Sequence, residues 1–154
     1  MLRLAPLVSV FALLLPFAAA PAHAGSIREV IEGPVSAQLV RVVDGDTLLV
    51  DATPWPQQTI EVYVRLRGID APELHSHCGE VRAAAERAQL ALQAITGASG
   101  TIALTHISGD KYFGRILADV ETGDGRNPAA ELLSGGYVTA YDGGRKPAAC
   151  QTSE

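Results

Sequence analysis

Three carboxylates and two arginines stand in three short segments of this 154-residue chain. Asp46 belongs to the run Asp44 to Thr47. Arg65, Asp70 and Glu73 belong to the run Arg65 to Glu73, and Arg115 closes the run Lys111 to Arg115. Carboxylate oxygens suit a hard divalent cation. Guanidinium planes take phosphate oxygens two at a time, and a further carboxylate can orient or deprotonate a water. The chemistry this set can do is metal-assisted attack of water on a phosphodiester held from two sides. Taken singly, each acid has a plainer role: Asp46 as a hairpin cap, Asp70 as an Asx turn ahead of Pro72, Glu73 as surface.

The elements around these residues decide whether they meet. Val35 to Val43 is rich in β-branched residues, Asp44-Gly45 is a turn signal, and Thr47 to Val50 continues as a second strand. Thr53-Pro54-Trp55-Pro56 reads as a loop that blocks regular pairing. Thr59 to Gly68 alternates, with Val62, Val64 and Leu66 on one face and Tyr63, Arg65 and Arg67 on the other. Both arginines are expected to project outward, Arg67 as a surface or packing residue. From Glu80 to Thr96 the period becomes helical. Val81, Ala84, Ala85, Ala88, Leu92 and Ile95 form the apolar side; Arg82, Glu86, Gln89 and Gln93 form the polar one, and Gly97 is the stop. Thr101 to His106 and Ile116 to Val120 add two strands, and Asn127 to Ser134 adds a short helix with Pro128 in its first turn. The expected class is α+β, mainly β: a five-stranded barrel of the oligonucleotide-binding kind (OB-fold) with two helices. If the first three strands are neighbours, Asp46 and Asp70 converge on one rim.

In order, spacing and flanking structure, the three motifs resemble the staphylococcal-nuclease (thermonuclease) family over about Val35 to Tyr141. The resemblance implies a calcium ion held by Asp46, Asp70 and the backbone carbonyl of Ala71. The family often has threonine at this last position, a change of little consequence because the carbonyl is the ligand. It implies catalytic roles for Arg65 and Arg115, a water-orienting or base role for Glu73, and phosphate contacts from Lys111 and Tyr112. Phe113 is inserted in what is usually a Tyr-Gly-Arg run. Tyr141 either stacks a base or caps the core. The implied activity is calcium-dependent hydrolysis of DNA and/or RNA, with single-stranded or flexible strands as substrate. The alternative is a non-catalytic barrel that binds nucleic acid or a protein partner; such relatives typically lack part of the acid and arginine set, which is complete here.

Met1 to Ala24 has the form of a signal peptide, with Arg3, an apolar run from Leu7 to Ala20, and Ala22-His23-Ala24 as a cleavage site. The run is too short to span a bilayer and Pro16 interrupts it, so export to a periplasm or beyond, without stable membrane association, is expected. Residues 25–34 are then an N-terminal extension, 35–141 the nuclease-like domain, and 142–154 a tail bearing Cys150. In place of a third helix, found in longer family members, the tail carries Gly143, Gly144 and Pro147. The formal charge is −5 from 12 basic and 17 acidic side chains, and losing Arg3 with the leader makes it −6. Proteins that coat nucleic acid are usually basic. Attraction of a phosphate therefore falls to a local arginine cluster and a bound cation, and binding should be weak and salt-sensitive. Cys78 and Cys150, the only cysteines, are expected to form one disulfide in an oxidising compartment, with an upper figure of about 4 kcal/mol for closing a loop of that size; the alternatives are two free buried thiols, or Cys78 with His75 and His77 as transition-metal ligands. Nothing suggests a dimerisation helix, and a monomer is expected.

Overall fold

The computed structural model describes residues 29–97 and 100–144. In chain order the elements are β1 (Val30–Ile31), β2 (Val35–Asp44), β3 (Thr47–Trp55), β4 (Gln58–Leu66), β5 (Ile69–Asp70), α1 (Gly79–Thr96), β6 (Thr101–Gly109), β7 (Arg115–Thr122), α2 (Pro128–Ser134) and β8 (Thr139–Ala140). Strands β2, β3, β4, β7 and β6 pair in a ring that closes through β6–β7. All the ring pairings are antiparallel except β4–β7, which is parallel. This is the expected mainly-β barrel with two helices, an OB-fold. β1 adds to β6, and β5 pairs with β8 in a separate two-stranded sheet. The signal-peptide residues and Cys150 lie outside the described residues.

Alternation along the strands builds the core. Leu48 and Val50 of β3, Val64 and Leu66 of β4, Ile102 and Leu104 of β6, and Ala118 and Val120 of β7 point inward and are buried. Helix α1 covers one end of the barrel with Ala88, Leu92 and Ile95, and Leu132 of α2 joins the same cluster. Alanines let α1 approach closely. A Cβ built at Gly45 in the β2–β3 turn would lie 2.6 Å from the Ala88 Cβ and 2.8 Å from the Ala71 Cβ. The turn therefore requires glycine for lack of room. Gln89, expected on the solvent side, instead donates its Nε2 to the Val43 carbonyl at 2.9 Å, fastening the helix to the end of β2.

Three other expectations are corrected. Thr53 to Trp55 is strand, not loop: β3 runs to Trp55, which pairs with Gln58, Pro54 falls in a register shift between Ala52 and Trp55, and Pro56 lies in the turn that follows. β4 stops at Leu66, short of Gly68, whose φ of +81° turns the chain back toward the barrel. Arg67 is more than surface packing. Its Nη2 donates to the carbonyls of His106 (2.5 Å) and Leu117 (3.1 Å) and to Ser108 Oγ (3.1 Å). The β6–β7 register shifts between Thr105 and Ser108, so Arg67 occupies acceptors at a break in the ladder.

Candidate functional site

The rim of the barrel at the β2–β3 turn assembles the acids and the first arginine. Asp44 Oδ1 accepts the Asp46 N–H at 3.0 Å, an Asx turn that aims Asp46 into β3. Arg65 is the cross-strand partner of Thr47, so it sits beside Asp46. The Gly68 turn and the pairing of β5 with β8 then bring Asp70 back to the same place, with Asp70 opposite Thr139. Arg65 Nη1 lies 2.6 Å from Asp46 Oδ1 and its Nη2 lies 2.6 Å from Asp70 Oδ1. Contrary to expectation, Arg65 does not project freely outward; its side chain is 14% exposed. Asp46 Oδ2 accepts the Ala71 N–H at 2.7 Å and its Oδ1 accepts the Thr47 hydroxyl at 2.9 Å.

Burial dominates the electrostatics here. The Asp46 carboxyl is pushed up to about 6, first by burial, against the pull of Arg65 and with a further push from Asp44. Burial would lower the Arg65 guanidinium, but Asp46 and Asp70 outweigh it and hold the group above its ordinary value. Among the described residues, no three acidic, histidine or cysteine side chains cluster as metal ligands. The donor set is two carboxylates plus the Ala71 peptide, tied to Asp46 through its N–H. These are oxygen donors, and the more buried one is still poorly compensated by a single guanidinium. The set fits a hard cation that completes its shell with water. A small cavity of about 120 Å³, lined by Asp46, Arg65, Ala71 and Glu73, lies at this point, although Asp70 does not line it.

Arg115 arrives from the other side. It opens β7, and the parallel register pairs Tyr63 with Arg115 and Arg65 with Leu117. The two arginines thus stand on the outward faces of adjacent strands, offset by two residues, about 7 Å along the strand. Asp110 holds Arg115 by an ion pair to Nε and accepts the Lys111 N–H at 2.6 Å. Burial raises the Asp110 carboxyl, but these partners more than offset it and keep it below its usual range. The Tyr112 ring lies under both neighbouring cations, 4.6 Å from Arg115 Cζ and 5.0 Å from Lys111 Nζ.

A groove of about 1160 Å³ runs past these groups and is lined by Arg65, Glu73, Lys111, Tyr112, Arg115 and Tyr141. That is larger than an ordinary small-molecule site. It gathers every residue expected to act on the phosphate or the water, while Asp46, Asp70 and Ala71 sit at or beside its end. Tyr141 is a wall residue rather than a core cap: its N–H donates to the Gly68 carbonyl and its hydroxyl to the Gly144 carbonyl, both at 2.9 Å. Arg67 lines the groove too, whereas Arg41, Arg82, Arg87 and Arg126 do not. Asp44, Glu73, Asp110 and Asp142 share the lining, so cations there face nearby acids.

Sequence reasoning passed over Asp110 and took Asp44 for a turn residue only. The signal for Asp110 was an acid five residues before an arginine across a hairpin turn. Asp44 does make the turn, but it also lines the groove and adds to the charge at Asp46.

The closed OB barrel carries two arginines along one polar groove and paired acids at its end. The chain matches the family model of the staphylococcal nuclease homologues over residues 63–153 and belongs to that family. The match begins in β4, so the hairpin carrying Asp46 is joined to it by barrel closure. A search among curated proteins found no match.

Proposed function

We propose that the protein is a calcium-dependent phosphodiesterase that hydrolyses DNA and/or RNA. The observation that supports this reading most directly is the placement of Arg65 and Arg115, two residues apart in register, on adjacent strands of one groove that Glu73 also lines. A phosphodiester between the two guanidinium groups has its oxygens bound from two directions as negative charge grows on them. Glu73 accepts a proton from the attacking water or orients it. Lys111 and Tyr112 hold a neighbouring phosphate, and Tyr141 offers a ring at the groove wall. Asp46, Asp70 and the Ala71 carbonyl would hold calcium, which when bound polarises the phosphate and positions water.

The leader composition supports export to the periplasm or the medium, and no helix among the described residues is long and apolar enough to cross a membrane. A Cys78–Cys150 disulfide is supported by there being no free cysteine among the described residues. We take the working form as a monomer.

The test is release of acid-soluble nucleotides from single-stranded DNA by the oxidised protein, with calcium, with chelator, and with Arg115→Ala. Calcium-dependent release lost in the variant is expected. No release from folded protein across pH and salt would overturn the enzyme and favour a binding barrel.

A further inference from the structure

We infer that Phe113, with Tyr63, stacks unpaired nucleobases next to Arg115 and so favours single strands at this site; this rests on the nuclease reading above. Phe113 sits at the apex of a tight turn. The Arg115 N–H donates to the Tyr112 carbonyl at 3.3 Å and Gly114 has φ +81°, the value a type II turn needs at its third position. That geometry puts Phe113 at the corner, where its relative exposure is 110%. The turn is anchored at both ends by groove residues, Tyr112 and Arg115. On the neighbouring strand, Tyr63 shares the outward face of β4 with Arg65, is the register partner of Arg115, and is 40% exposed.

Neither ring lines the groove itself; each belongs to a residue adjoining one that does, Phe113 between Tyr112 and Arg115 in the turn and Tyr63 in register with Arg115 on β4. Tyr112 is already engaged with two cations. Single-strand sites join a cationic groove to aromatic platforms because every base presents a π-face. In a duplex those faces are covered by neighbouring bases, so only an unstacked strand can use the platform. Full exposure also means that Phe113 adds nothing to the folded core, and its removal leaves the barrel intact.

The experiment has two readouts. Binding of a single-stranded oligonucleotide bearing 2-aminopurine, whose emission is quenched by stacking, is titrated in chelator for the wild type, Phe113→Ala, Phe113→Trp and the Phe113→Ala/Tyr63→Ala double variant. Calcium-supported hydrolysis is then compared for single-stranded DNA, the matching duplex and a strand of the same length built of abasic tetrahydrofuran residues, which has the phosphates and no aromatic ring. Phe113→Ala is expected to weaken single-strand binding roughly five-fold or more. It should raise KM for single strands and leave the abasic strand unchanged; Phe113→Trp should restore binding, and the double variant should lose more. Wild-type binding and cleavage of single strands by Phe113→Ala would overturn the inference. Failure of the wild type to hydrolyse any substrate would overturn the nuclease reading, while the binding titration would still decide the stacking role.

Discussion

Arg65 bridges the two carboxylates proposed to hold calcium, so it should oppose the ion as well as serve the reaction. Arg65→Met separates these effects by replacing the guanidinium with an apolar chain. Its two contacts are 2.6 Å each, to carboxylates only 3% and 14% exposed, and a charge-assisted bond of this kind contributes about 1.5–3 kcal/mol. A cation entering between the acids must replace at least one of them, so the variant should bind calcium roughly 10- to 150-fold more tightly. Without calcium it should lose about 2–4 kcal/mol at neutral pH, because Asp46 is left buried without its counter-charge. For a domain of this size that is a fall in Tm of roughly 10 °C, which calcium should largely reverse. Turnover should nonetheless fall on the order of 10²-fold or more, as for loss of one electrostatic donor. Calorimetric calcium titration and melts with and without the ion measure both effects. If Arg65→Met binds calcium more weakly than the wild type, the guanidinium organises the acids instead of competing for them, and the reasoning fails.

Gly45→Ala forces a methyl against Ala88 and Ala71 and should cost about 1–3 kcal/mol; a denaturant midpoint equal to that of the wild type would show that α1 yields freely. Asp110→Asn removes the charge that fixes Arg115 and should lower kcat about ten-fold, a loss near 1.4 kcal/mol, with smaller change in KM; an unaltered kcat would mean that Arg115 is held by other contacts. The folded pKa of Asp46 is raised to about 6 from 3.8, so the calcium-free fold binds this proton more tightly than the unfolded chain does. From this group, stability should therefore rise as pH falls from above 6 toward 3.8, while calcium binding weakens through the same window. Melts and calcium titrations across that range check both signs, and a calcium affinity independent of pH would remove Asp46 from the ligand set.

Where one residue's face or turn chemistry settled the matter, the sequence was readable. Period-two alternation in Thr59 to Gly68 placed Val64 and Leu66 inside, and Asp44-Gly45 marked the hairpin. The convergence of Asp46 with Asp70 followed once their strands were taken as neighbours. Contacts set by strand ends far apart in the chain were not readable in this way. Gln89 has no pattern that points to Val43, and Arg67 finds its acceptors only where β6 and β7 slip register. The prolines around Trp55 signalled a loop because propensity cannot foresee a register shift that tolerates Pro54. Asp110 escaped notice because its partner is defined by the turn geometry between them.

The parallel β4–β7 seam divides the site between two stretches of chain. Everything through α1 carries Asp46, Arg65, Asp70 and Glu73, and everything from β6 onward carries Lys111, Tyr112, Arg115 and Tyr141. Cut after Gly97, each fragment would hold one of the two arginines proposed to bind the phosphate and half a groove wall, and neither would have a partner strand for the seam. Mixing the fragments would restore the groove by re-forming β4–β7 together with β1–β6, β2–β6 and β5–β8. Recovered hydrolysis would then serve as a complementation signal, counting reassembled barrels in a population of otherwise silent halves.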